Sequence, residues 1–176
     1  MKVTTSSPEF LHALGQLVVD FGFMERAIRS SIIILVRDAE VARALVPPTN
    51  AVSQNLDLLR RACLIKVKEP GLDTWLEAID DLKLLFEERN RIFHGMFYED
   101  NDRVILSRIV KRGRGKPDEV ITFEYEPEKL VELHRRINSR RRQLMDFADD
   151  YYDSENGPAN RPMASQDDHP FLTYGE

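Results

Sequence analysis

Apolar residues recur along the first third of the chain at three-, four- and seven-residue steps: Phe10, Leu14, Leu17, Phe21, Met24, Ile28 and Leu35, widened by Val18, Ile32 and Val36. That period places them on one face of a long helix. Ser7-Pro8-Glu9 supplies its start, with a capping hydroxyl, a proline at the first helical position and an acid in the first turn. The helix is expected to continue through 38–45 and to stop at Pro47-Pro48. Thr49 or Asn50 can cap a second helix reaching about Val67, with Val52, Leu56, Leu59, Cys63 and Val67 inward, before Pro70-Gly71 breaks it. A third begins near Leu72 with the apolar line Trp75, Ile79, Leu82, Phe86 and Phe93, and Gly95 is placed as its glycine stop.

Beyond Gly95 the period changes. Val104, Leu106, Arg108 and Val110 alternate, and Val120-Ile121-Thr122-Phe123-Glu124-Tyr125 is β-branched and aromatic. The turn-forming stretch 111–118 lies between them, which predicts a two-stranded hairpin over about 103–125. A last helix starts at Pro127-Glu128 and carries Leu130, Leu133, Ile137, Leu144 and Phe147. The expected architecture is mostly α: an antiparallel four-helix bundle with a small β-hairpin inserted before the last helix. The domain spans 1–153, and 154–176, rich in Asn, Gly, Pro, Ser and Asp, is read as a flexible acidic tail.

Composition changes this picture little. At 176 residues the chain is one domain's worth, and 42% hydrophobic with 31% charged residues is a globular balance. No run of about 18 apolar residues occurs, so no membrane partner is expected. No secretory signal is read at the start, and cytoplasmic residence is the default. Cys63 is the single cysteine, which leaves no internal disulfide and no cysteine-based zinc site. The net charge of −5 argues against nucleic-acid binding over the whole surface, but not against a local basic site. Lys111, Arg112, Arg114 and Lys116 at the hairpin tip are candidate RNA contacts or a solvated loop. The basic run Arg135 to Arg142 reads mostly as solvated surface facing the acidic ends of the first helix or a partner. His12 and His134 stand isolated, and no cofactor or metal is expected.

The chemistry concentrates at Glu88-Arg89-Asn90-Arg91-Ile92-Phe93-His94-Gly95. On a regular helix Asn90 and His94 stand one turn apart on the same face, with Glu87 one turn further back. Arg89 falls on the continuation of the apolar stripe, where a charge needs a partner, and Glu25 on the first helix is the candidate. An imidazole of ordinary pKa near 6.5 suits general acid–base work on an RNA 2′-hydroxyl or leaving oxygen. Arg89 would hold the scissile phosphate, and Asn90 would orient His94 or the phosphate. The same residues also admit a structural reading: an Arg89–Glu25 pair locking helix to helix, with His94 capping the last carbonyls.

Arg89-Asn90-Arg91-Ile92-Phe93-His94 at a helix end resembles the HEPN superfamily, whose signature is Arg, a polar residue, then His four to six positions after the Arg. Phe21-Gly22-Phe23-Met24-Glu25 resembles the helix of bacterial HEPN-like proteins that brings an acidic residue beside the motif. The resemblance covers roughly residues 8 to 150. It implies a metal-independent endoribonuclease that homodimerises so that two Arg/His pairs share one cleft, with Arg89, His94 and Asn90 catalytic and Glu25 supporting. Cleavage would leave a 2′,3′-cyclic phosphate on RNA, in a toxin–antitoxin or anti-phage defence setting with a cognate antitoxin or inhibitor protein as a further partner. The alternative is a non-catalytic helical module of the same fold that binds a partner protein or nucleotide. HEPN toxins paired with a nucleotidyltransferase carry Tyr two residues after the His, where this chain has Met96 and places Tyr98 four residues on.

Overall fold

A computed structural model of the chain describes residues 5, 7–100, 103–110, 119–124 and 127–156. Among these the protein is mostly helical, with five helices and a small three-stranded antiparallel sheet. In chain order the elements are α1 (Pro8–Val36), α2 (Ala39–Leu45), α3 (Val52–Lys66), α4 (Gly71–Phe93), β1 (Met96–Asp100), β2 (Arg103–Val110), β3 (Glu119–Glu124) and α5 (Pro127–Asn156). The four longer helices touch in pairs: α1 packs on α5 and α3, and α4 on α3 and α5.

The start of α1 follows the expected chemistry, with Ser7 Oγ accepting the Phe10 amide at 3.3 Å and Pro8 at the first helical position. Its end does not run on to residue 45. Arg37 takes a left-handed conformation (φ 63°) while its amide still reaches Ile33 O at 3.0 Å, and the Asp38 carboxylate accepts the Glu40 and Val41 amides at 3.0 Å each. The helix therefore stops, turns and is recapped as α2, because an aspartate at that position satisfies free amides that a continuous helix would not present. Asn50 then closes the turn into α3 by donating to Leu45 O at 2.9 Å and Asn55 Oδ1 at 3.2 Å. The N-cap of α3 is Ala51, not Thr49 or Asn50, and its amide is accepted by Gln54 Oε1 at 3.0 Å.

Phe10, Leu17, Phe21, Met24, Ile28, Ile32 and Leu35 of α1 are buried with Leu56, Leu59 and Cys63 of α3, Trp75, Ile79, Leu82 and Phe86 of α4, and Leu130, Leu133, Ile137 and Leu144 of α5. The helical periods thus point into one core. Val18 departs from its expected place: it is exposed, because the neighbours of α1 leave that side of the helix uncovered. At the end of α4 the inward residue is Ile92, and Phe93 is half-buried against Phe21 with ring centroids 6.0 Å apart.

The predicted hairpin is present as β2 and β3, and β1 joins it on the other edge of β2. This third strand went unread because only Phe97 of Met96–Asp100 turns inward, so the segment lacks alternation. Phe97, Leu106 and Phe123 lie abreast across the sheet. Phe97 meets Phe10 edge-on at 5.1 Å, which seats this face against the start of α1. Gly95 ends α4 for a different reason from the one expected. A Cβ there would strike the Leu106 side chain and lie 2.8 Å from Arg91 O, so glycine is needed for close approach of β2. α5 continues to Asn156, which makes the first residues of the expected tail helical; 157–176 lie outside the described residues.

Candidate functional site

The apolar stripe of α4 carries Arg89 toward α1, where its guanidinium meets Glu25 at 3.8 Å. That is an ion pair but too long for a hydrogen bond. Arg89 Nη1 donates to Asn90 Oδ1 at 3.0 Å, and the guanidinium carbon lies 4.9 Å from the centroid of the Phe93 ring. Arg89 Nε is buried with no hydrogen-bond partner among the described residues. The side chain is therefore aimed from three directions while remaining 29% exposed, against 27% for Glu25.

The exposed part opens into a cleft of about 560 Å³ between α4, α1 and the start of α3. Glu25, Arg89 and Asn90 line it together, with Glu87, Lys83 and Asp57 on the same walls. Lys83 is engaged by Asp57 at 3.2 Å. The cleft holds cations and carboxylates side by side, so an incoming anion would have to compete with Glu25 for Arg89. Asn90 Oδ1 orients the arginine, and no hydrogen bond joins the Asn90 side chain to the His94 ring among the described residues.

His94 follows the last residue of α4 as its C-cap, with its amide bonded to Asn90 O at 3.1 Å. The side chain is exposed and is not among the residues lining the cleft. Its imidazole has no partner among the described residues, so it does not cap the last carbonyls. The structure thus brings Glu25, Arg89 and Asn90 into one cleft and leaves His94 at the helix end, its ring without a partner among the described residues. Lys111, Arg112, Arg114 and Lys116 lie outside the described residues.

Two features were not foreseen. His134, read as isolated, sits with Nδ1 against Asp20 Oδ2 across the α1–α5 contact, and Asp20 is buried. The signal was present: Asp20 stands between Leu17, Phe21 and Met24 on the inward side of α1, where a carboxylate requires a partner. The basic run of α5 is also partly engaged, since Arg136 pairs with Glu88 at 3.4 Å and Arg140 with Asp81. Burial pushes the Cys63 thiol up to about 12, which makes it an inert core residue. Among the described residues no group of three or more His, Cys, Asp or Glu side chains is placed to hold a metal ion, and no helix is long and apolar enough to cross a membrane. Comparison with known proteins finds no matching family model, no matching curated protein and no matching solved structure.

Proposed function

We propose that the protein is a HEPN-like, metal-independent endoribonuclease in which Arg89 binds the scissile phosphate and His94 moves the proton. The observation that carries this reading is the preorganised guanidinium: Arg89 is aimed by Asn90, Phe93 and Glu25 yet still opens to a cleft. The exposed imidazole of His94, four residues after Asn90 at the same helix end and without a partner among the described residues, supports it. In the reaction the RNA 2′-hydroxyl loses its proton to a base as its oxygen attacks phosphorus. The bond from phosphorus to the 5′-oxygen breaks, that oxygen takes up a proton, and a 2′,3′-cyclic phosphate remains. Arg89 counters the charge that builds on the phosphate oxygens, and Glu25 gives up its partner as RNA binds. A homodimer would bring a second Arg89 and His94 to the same strand, and the pairwise packing of the four long helices is compatible with that family's core.

The second reading, a non-catalytic module, draws on the Arg89–Glu25 pair, which ties α4 to α1. Incubation of the purified protein and its His94→Ala variant with mixed single-stranded RNA in chelator separates the two. Products ending in 2′,3′-cyclic phosphate from the wild type, and a loss of about 10²-fold or more in the variant, are expected. Equal cleavage by both proteins, or none by either, removes the catalytic reading.

A further inference from the structure

The surface where α1 packs on α5 holds a second set of oriented polar groups, none of which lines the Arg89 cleft. Asp20 is 97% withdrawn from solvent at 3% exposure and accepts from Gln16 Nε2 at 3.4 Å through one oxygen while the other faces His134 Nδ1. A carboxylate against Nδ1 selects the ring orientation and leaves Nε2 as the outward atom. The His134 side chain is 36% exposed. One turn along α5, Asn138 Nδ2 lies 3.3 Å from that ring and its Oδ1 accepts from Arg141 Nη2 at 3.3 Å. Arg141 in turn lies over Phe23 of α1, 5.7 Å from the ring centroid, and its Nε is buried without a partner among the described residues.

Asp20 is the counter-charge of the His134 ring, but the guanidinium beside it has none among the described residues. Arg136 and Arg140 on the same helix are neutralised by carboxylates of α4, whereas Arg141 and the exposed Arg142 have no carboxylate partner among the described residues. Neither has Arg26, exposed three residues after Phe23 on α1. In a chain of net charge −5, unneutralised guanidinium groups beside an oriented imidazole mark a local anion site. Phe23 is 51% exposed, and an aromatic face beside cations is what single-stranded nucleic acid uses for stacking.

We propose that His134, Asn138 and Arg141, walled by Phe23, grip the phosphate backbone of single-stranded RNA on the surface where α1 meets α5. That the polynucleotide is RNA rests on the ribonuclease reading; the grip itself is built from other residues. His134 and Arg141 stand seven residues apart, about 10 Å along one face of α5, so they meet different stretches of the backbone. Asp20 is a positioning residue that holds the imidazole for this contact.

The test measures binding of a fluorescein-labelled oligonucleotide of 2′-O-methyl RNA, which cannot undergo 2′-hydroxyl attack, to the full chain by anisotropy over a range of salt. Arg141→Gln and Phe23→Ala should each weaken binding about fivefold or more, and Arg141→Gln should flatten the log–log salt dependence by about 0.7. Unchanged affinity in both variants overturns the proposal. Should Arg141→Gln not fold, Phe23→Ala, altered at an exposed ring, decides alone. Inorganic phosphate is titrated in parallel, followed by the ring resonances of His134. Weak phosphate binding displaced by the oligonucleotide supports the backbone as ligand. Phosphate that binds as tightly as the oligonucleotide overturns it in favour of a small-anion site. Binding that depends on Arg141 and Phe23, without cleavage of unmodified RNA, would sink the ribonuclease reading and leave this site standing. Full-affinity binding by both variants with cleavage intact would do the reverse.

Discussion

Replacement of Arg89 by methionine separates a catalytic arginine from a structural one, because the two roles predict different stability changes. The ion pair with Glu25 spans 3.8 Å between side chains that keep 29% and 27% of their exposure. At such exposure a pair contributes about 0.5–1 kcal/mol. Stacking of the guanidinium over Phe93 adds about 0.5–1 kcal/mol, and the hydrogen bond to Asn90 about 1 kcal/mol. Against these stands Arg89 Nε, buried without a partner, which costs about 1–3 kcal/mol. The contributions nearly cancel, and methionine retains the apolar stem. Arg89→Met should therefore shift the unfolding free energy by about 1 kcal/mol or less, a change of roughly 2–4 °C in Tm for a chain of this size.

A dry interhelical lock behaves otherwise. Removing one member of a fully buried pair costs about 3–5 kcal/mol, since the remaining charge cannot reach water. Urea unfolding of wild type, Arg89→Met, Glu25→Gln and the double variant, followed by far-ultraviolet circular dichroism, gives the coupling energy directly. A coupling of about 3 kcal/mol or more would refute the reasoning and assign Arg89 to the framework. The expected result is a folded Arg89→Met protein whose RNA cleavage has fallen about 10²-fold or more.

Cys63 should resist thiol reagents at pH 8 in the native protein and react on unfolding, because its thiol is pushed from 9.0 up to about 12 by burial. Its folded value lies above the unfolded one, so its contribution is fully present below about pH 9 and is lost as pH rises toward 12, at about 1.4 kcal/mol per unit. Gly95→Ala should destabilise the protein by about 1–3 kcal/mol by forcing its Cβ into Leu106, and thermal melts should show Leu106→Ala costing less in that background than alone. His134→Ala should cost about 1–3 kcal/mol in chemical denaturation by taking the imidazole from the buried Asp20 carboxylate, with a large part restored by Asp20→Asn in the same chain; additive losses in the double variant would contradict the pairing.

The helices were legible because each carries a long apolar stripe and a chemically explicit boundary, as at Ser7-Pro8 and Pro70-Gly71. What escaped was decided by contacts distant in sequence or by single side chains acting locally. The break at Arg37 depends on one aspartate capping two amides, within a pattern that otherwise continues. β1 is an edge strand whose only inward side chain, Phe97, acquires its neighbour Phe10 from a helix nearly ninety positions earlier. The Arg89–Glu25 pair could be anticipated, since a cation on an apolar stripe limits its partners. The Asp20–His134 contact follows the same rule applied to an anion on the inward side of α1.

The end of α4 meets several demands within a few residues, and this bears on how His94 is tested. Ile92 is 1% exposed in the core, Phe93 packs on Phe21, and Gly95 admits Leu106 of β2. The backbone on both sides of His94 is therefore held by packing, while its imidazole has no partner among the described residues. The His94 amide bonds Asn90 O, but a ring serving the helix end would also bond the last carbonyls, and this ring bonds none among the described residues. Its side chain contributes little to stability, so His94→Ala should unfold within about 0.5 kcal/mol of the wild type. Measured beside the cleavage assay, that near-silence would make a lost activity attributable to the missing imidazole. A destabilisation of about 2 kcal/mol or more would show that the ring serves the fold and would take away the proton-transfer role.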